Sequence, residues 1–265
     1  HLQDLDAGGP KDVAVVGGVL VKVLNEVIPD MPFPNDLAGF GAGALDFDEV
    51  VRREAVIEEH FGVEAGAFAV LLTLDALDDR MLGSMRTTSV PSFTATASGR
   101  ATLEADFAMF WRETSLGDET EGILFGECKT YGAFEAKDVD RMRYLASVFP
   151  GAVLVFSTLR DTLSKREIVA LKRLAKSGRK HWKADRPVNP LLILTGTELL
   201  KWERPHYCWT EAQQKQFQHV HGLLALCDAT QQLYLGLPSW HDDWRKGWER
   251  RRERRRVHDA SKRQP

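Results

Sequence analysis

Three positions carry most of the chemical information in this chain: Asp106, and the pair Glu127 and Lys129 with Cys128 between them. Carboxylates are hard oxygen donors, and Mg²⁺ typically takes one or two of them while keeping several waters. A neighbouring ammonium can orient an attacking water or meet charge that develops on a phosphate. Strand side chains alternate, so Glu127 and Lys129 project from one face and Cys128 from the other. If the segment carrying Asp106 pairs with them as a hairpin, Asp106 lies across from Glu127. Two carboxylates and an ammonium then converge at one end of a sheet. The preceding run Ile123-Leu124-Phe125 is apolar, and charges placed after such a run are costly unless they are paired or hold an ion. The bare tripeptide Glu-x-Lys is common, so the context has to carry the reading.

The elements around these residues supply that context. Ser92–Ser98 reads as a strand, with Gly99 and Arg100 as a turn. Ala101–Trp111 alternates Leu103, Ala105 and Phe107 against Thr102, Glu104 and Asp106, the period of a half-buried strand. Gly117–Gly122 reads as a polar hairpin connection, and Ile123–Lys129 as a more buried strand. Glu135–Phe149 places Val139, Met142 and Leu145 on one helix face. Ala152–Leu159 is almost continuously apolar, which suits a strand covered on both sides. Ser164 is positioned to cap a helix that runs to Ser177 and ends at Gly178. Leu191–Leu194 is a further short strand and Thr210–Cys227 a further helix. Upstream, Asp46 or Asp48 can cap a helix with Val50, Val51, Ile57 and Phe61 at helical spacing, and 65–81 reads as a second helix. The succession predicts an α/β fold, a mixed sheet with helices packed on it.

With those elements in place, the chain resembles the PD-(D/E)XK nuclease superfamily, the restriction-endonuclease-like phosphodiesterases. The residues that carry the resemblance are Leu103-Glu104-Ala105-Asp106-Phe107 and Ile123-Leu124-Phe125-Gly126-Glu127-Cys128-Lys129, followed by a helix and a strand in the family's order. It covers roughly Asp46 to Leu200. The proline of the family's name is absent, Ala105 standing before Asp106. The resemblance implies a restriction-endonuclease-like core with an N-terminal helical region. It implies Asp106 and Glu127 as ligands of Mg²⁺ or Mn²⁺, and Lys129 as the catalytic lysine. Glu58 or Glu59 is a candidate additional acidic residue on the preceding helix. Lys137 and Arg141, four residues apart on the following helix, are candidate phosphate contacts. The function implied is a metal-dependent nuclease acting on nucleic acid, with DNA favoured as substrate. The competing reading is a nucleic-acid-binding or assembly module that keeps the fold without cleaving.

Composition fits this frame. The chain has 265 residues, 43% hydrophobic and 28% charged, the profile of an ordinary globular protein. No apolar run approaches the roughly 20 residues of a membrane span. Three dispersed cysteines, Cys128, Cys208 and Cys227, speak against a disulfide framework and for a reducing, cytoplasmic setting. The net charge of -3 hides a polarity: residues 1–122 hold 22 acidic against 8 basic residues, and residues 123–265 hold 16 against 27. Basic residues release counterions from a polyanion on binding, so the second part suits nucleic acid. The first has the wrong sign for a phosphate backbone, and is expected to pack as a flank or to contact another protein. Three regions follow: an acidic, mainly helical 1–90, a nuclease-like core 91–200 that can include the helix from 46, and a helical 201–265 with a basic tail.

Other motifs are weaker. Gly39, Gly41 and Gly43 have no strand before them and read as a connector. His206, Cys208, His219, His221 and Cys227 lack the tight ligand pairs of a zinc site. Trp240, Trp244 and Trp248 recur on one helix face and read as packing rather than base stacking. Ser157 lacks the context of a nucleophile elbow.

Overall fold

β-Branched and aromatic residues concentrate in the segments that become strands, while the helices are announced by caps and by spacing. The computed structural model describes residues 66–77, 85–95, 102–115, 118–183, 186–200, 208–209, 214–217, 219–220 and 222–262. All belong to the unit Leu45–Pro265. Glu58, Glu59, the helix read at 46–61 and most of the acidic region lie outside the described residues.

In chain order the elements are α1 (Ala67–Asp75), β1 (Met85–Ala95), β2 (Leu103–Ser115), β3 (Asp118–Lys129), α2 (Ala136–Val148), β4 (Val153–Thr158), α3 (Lys165–Gly178), β5 (Trp182–Lys183), β6 (Arg186–Pro187), β7 (Leu191–Leu194), α4 (Gly196–Leu199), a 3₁₀ turn (Lys215–Phe217), α5 (Leu223–Leu235) and α6 (Trp240–Lys262). The main sheet has five strands in the order β1-β2-β3-β4-β7. β1, β2 and β3 pair antiparallel, and β3-β4 and β4-β7 pair parallel through α2 and α3. β5 and β6 form a separate two-stranded ribbon. This is a mixed sheet flanked by helices, as the succession of elements implies.

The central strands are apolar because both faces are covered. On one face Phe125, Leu154, Phe156 and Ile193 pack beneath Met142 and Leu145 of α2 and Leu171 of α3, all with 0 or 1% exposure. Edge-to-face and tilted ring pairs, Phe134 on Phe156 and Phe125 on Phe149, extend this layer. On the other face α1 lies against β3 and β4, and Thr73 Oγ1 donates to Ser157 Oγ at 2.7 Å. The Ser164 cap of α3 forms as its sequence implies, with Glu167 closing a reciprocal capping box.

Both outer edges are managed. β1 carries Pro91, which has no N–H to offer, and next to it Ser92 adopts a left-handed φ of 52°. The outer edge of β7 is occupied by α5: the Ile193 N–H donates to Thr230 Oγ1 at 3.3 Å, and Gln231 Nε2 donates to the Leu191 carbonyl at 2.8 Å. Side chains thus stand in for the missing strand.

Three elements depart from the sequence expectation: β1 runs over Met85–Ala95 rather than Ser92–Ser98, β3 begins at Asp118 inside the segment read as a hairpin connection, and one helix is displaced. A helix over Thr210–Cys227 is not formed; Lys215–Phe217 is a 3₁₀ turn and the helix starts at Leu223. Gly222, at φ 84°, breaks the run, and the helix ends at Gly236, at φ 55°. Both glycines supply backbone that other residues adopt only under strain. No helix among the described residues is long and apolar enough to cross a membrane.

Candidate active site

The hairpin of β2 and β3 carries Asp106, Glu127 and Lys129 to one end of the sheet. Its ladder runs inward from Ser115 opposite Asp118 and stops at Phe107 opposite Gly126. Asp106, one residue further, has no ladder partner on β1 or β3. There the ladder gives way to a side-chain bond: the Cys128 N–H donates to Asp106 Oδ2 at 2.6 Å. Beyond that point β3 relies on β4, with Glu127, Cys128 and Lys129 beside Phe156, Ser157 and Thr158. Gly126 makes the close approach feasible, because a Cβ there would lie 1.8 Å from Cε1 of the Phe107 ring.

Alternation sorts the next three side chains. Cys128 points to the α1 face, where its Sγ accepts from Ser157 Oγ at 3.0 Å. Burial pushes its thiol up to about 12, which leaves it protonated and inert. Glu127 and Lys129 point to the other face, toward α2. Lys129 Nζ lies 2.8 Å from Glu127 Oε1 and 3.2 Å from Asp138 Oδ2. Arg141 Nη2 donates to Glu127 Oε2 and lies 3.5 Å from Asp138 Oδ1. The cluster is therefore three carboxylates, Asp106, Glu127 and Asp138, and two cations, Lys129 and Arg141.

Burial is uneven across it. Glu127 is 0% and Asp138 1% exposed, whereas the side chains of Lys129 and Arg141 are 26% and 29% exposed. Burial raises the Glu127 carboxyl above the ordinary value, and the nearby Asp106 charge raises it further against the pull of Lys129 and Arg141. Burial also raises Asp106, opposed by the Cys128 N–H and by the two cations. For Lys129, burial opposes the charge, but Glu127 and Asp138 outweigh it and hold the ammonium above the usual lysine value. Burial alone would raise Asp138 too; the Glu135 N–H, Lys129 and Arg141 instead hold it below the usual carboxylate range. Lys129 is thus a fixed, charged donor next to two electron-rich carboxylates.

Asp138 escaped the sequence reading. It stands at the N3 position of α2 and accepts from the Glu135 N–H at 2.8 Å, so in sequence it reads simply as a capping residue. Its second contact, to Lys129, depends on α2 crossing the end of β3. The candidate phosphate contacts divide. Arg141 joins the cluster, whereas Lys137 is exposed and pairs with Glu135 at 3.0 Å.

The neighbouring loops are tied by Glu167, which accepts from the Phe134 N–H at 2.8 Å and the Ser164 N–H at 2.7 Å and also holds Arg160. The turns after β3 and β4 are thereby fixed to each other beside the cluster. Two surface hollows, one bordered by Arg143, His181 and Asn189 and one by Arg86, Phe110 and Glu121, share no residue with it.

The donor chemistry suits a hard divalent ion. Asp106 and Glu127 offer carboxylate oxygens, and buried Glu127 Oε1 makes no hydrogen bond of good geometry despite the nearby ammonium. Among the described residues no group of three or more His, Cys, Asp and Glu side chains is arranged to hold a metal. An ion here would lean on two carboxylates and water, which is within the habit of Mg²⁺.

No family model and no curated protein matches the chain. Among solved structures, the DNA modification-dependent restriction endonuclease AspBHI is similar over 63% of this chain and 35% of its own, at 17% identity and a TM-score of 0.34. The MspJI restriction endonuclease in complex with a 27-mer oligonucleotide is similar over 77% of this chain and 41% of its own, at 14% identity and a TM-score of 0.34. The chain thus spans well under half the length of either.

Proposed function

We propose that this protein is a metal-dependent nuclease with a PD-(D/E)XK-type site, which hydrolyses phosphodiester bonds of nucleic acid, with DNA the favoured substrate. The observation that carries this reading is the convergence of Asp106, Glu127 and Lys129 where the β2-β3 ladder ends. Asp106 and Glu127 would hold Mg²⁺ or Mn²⁺. When bound, the ion supplies Lewis acidity toward the phosphate and the attacking water. Lys129 donates hydrogen bonds to that water and meets the charge that builds on the phosphoryl oxygens. Asp138 keeps the ammonium charged and aimed, and Cys128 takes no part beyond its backbone N–H, which steadies Asp106.

The test is cleavage of plasmid and single-stranded DNA with Mg²⁺ and with chelator, comparing wild type with Asp106→Ala and Lys129→Ala. Cleavage that needs the metal and is lost in both variants supports the proposal; cleavage that survives both sinks it. One observation favours a second reading, a nucleic-acid-binding module without cleavage: Glu127 already has two cationic partners. That reading predicts salt-sensitive binding indifferent to Glu127→Ala and to divalent ions.

A further inference from the structure

We infer that Arg141 is a displaceable counter-cation: it occupies Glu127 while no metal is bound, and turns to the substrate phosphate when a divalent ion takes that carboxylate. The inference rests on reading Asp106 and Glu127 as metal ligands.

The bonding of Arg141 is that of a temporary seat. Its Nη2 reaches Glu127, but its Nε is buried without a hydrogen-bond partner, and Asp138 Oδ1, 3.5 Å from Nη2, pairs with it by charge without a hydrogen bond. Guanidinium is a planar fork that suits two parallel bonds to one anion, and here it makes a single one to Glu127. Arg179 shows what a fixed arginine looks like in the same protein. Its Nε and Nη2 both donate to Gln231 at 3.2 and 2.9 Å, and its Nη1 reaches the Pro238 carbonyl at 2.7 Å and Asp243 at 2.6 Å. Its side chain is 5% exposed, against 29% for Arg141. Arg141 has both unspent donors and a way out to solvent.

Charge balance points the same way. With all five groups ionised, three carboxylates and two cations give the cluster one negative charge, which repels a phosphodiester. A divalent ion turns that into one positive charge, the complement of a single phosphodiester anion. With Glu127 committed to the ion, both cations lose their closest partner; Lys129 keeps Asp138 at 3.2 Å, and Arg141 keeps only the longer contact of 3.5 Å to the same carboxylate. A substrate phosphate offers that fork two oxygens at once. Metal and substrate would each loosen the same ion pair, so each should favour binding of the other.

The experiment measures Mn²⁺ binding to the full chain without nucleic acid, by the electron paramagnetic resonance of the free ion. Wild type is compared with Arg141→Met, with Arg141→Gln as a second neutral variant should the first fold poorly. Arg143→Met is the control, since Arg143 pairs with Asp140 on the exposed side of α2. Both Arg141 variants should bind Mn²⁺ about tenfold more tightly than wild type, and the control should match wild type. Equal or weaker binding by a folded Arg141 variant overturns this inference and leaves the metal site standing. No Mn²⁺ binding by wild type or any variant overturns the inference together with the reading it rests on.

Discussion

Replacing Gly126 by alanine puts a methyl group where the Phe107 ring already lies. The added carbon would sit 1.8 Å from Cε1, 2.2 Å from Cζ and 2.4 Å from Cδ1 of that ring. Phe107 is fully buried, with Met109 and Leu124 at 1% and 0% exposure in the same layer, so the ring cannot swing aside without displacing other packed side chains. Overpacking a close-packed core costs about 1–3 kcal/mol, and so deep an overlap belongs near 3 kcal/mol. In a chain of this size each kcal/mol moves the melting temperature by roughly 2–4 °C, so Gly126→Ala should melt about 6–12 °C lower. Urea titration should give the same loss with an unchanged slope. Phe107→Ala alone should cost about 3–5 kcal/mol through its cavity. The double variant should cost less than the two singles together, by about 2 kcal/mol, because each change relieves the other. A loss below about 0.5 kcal/mol for Gly126→Ala, or strict additivity with Phe107→Ala, would refute the packing argument.

Asp106→Asn keeps an acceptor for the Cys128 N–H and removes the charge that opposes Glu127. Because folding raises the Asp106 pKa, its charge works against the folded state at neutral pH, and that penalty fades as pH falls through the raised folded value and is gone below the ordinary carboxylate value. In chelator the variant should therefore melt above wild type at pH 7, with the gap closing toward acid; a lower melting point at pH 7 would contradict the sign. Glu167→Ala should cost about 2–4 kcal/mol in urea titration, since it removes the acceptor of the Ser164 N–H in the capping box of α3 and strands Arg160 and the Phe134 N–H; a loss under 1 kcal/mol would show that those loops are held by other contacts. Cys128 and Cys227, both buried with thiols pushed upward, should resist iodoacetamide at pH 8 until denaturant is added. Mass spectrometry would detect labelling of the native protein, which would mean that β3 or α5 opens.

Much of this molecule was legible because local signals agree with the final packing. The Ser164 cap, the helix that begins after Glu135, and the apolar strands at Val153–Thr158 and Leu191–Leu194 are each encoded in a few adjacent residues. The placement of Glu127 and Lys129 on one face and Cys128 on the other follows from alternation along β3. Asp138 was illegible because its capping role masks a contact that exists only in three dimensions. The destination of Arg141 was open for the same reason: a cation four residues from Lys137 says nothing of which carboxylate it meets. The displaced start of α5 had a visible signal in Gly222, outweighed by the apolar spacing from Phe217 onward. The cover that α5 gives to β7 depends on Thr230 and Gln231, which in sequence are ordinary polar helix residues.

The central claim is that Lys129 acts on the reacting phosphate rather than merely helping to bind nucleic acid. Its most direct test is the single-turnover cleavage rate of Lys129→Met in Mg²⁺ at saturating protein, with DNA affinity measured alongside by fluorescence anisotropy. Loss of a donor aimed at developing charge typically costs about 100- to 1000-fold in rate. The account predicts a fall of that size with affinity changed by less than about threefold. A variant that cleaves at close to the wild-type rate, or that loses affinity and rate in equal measure, would contradict it.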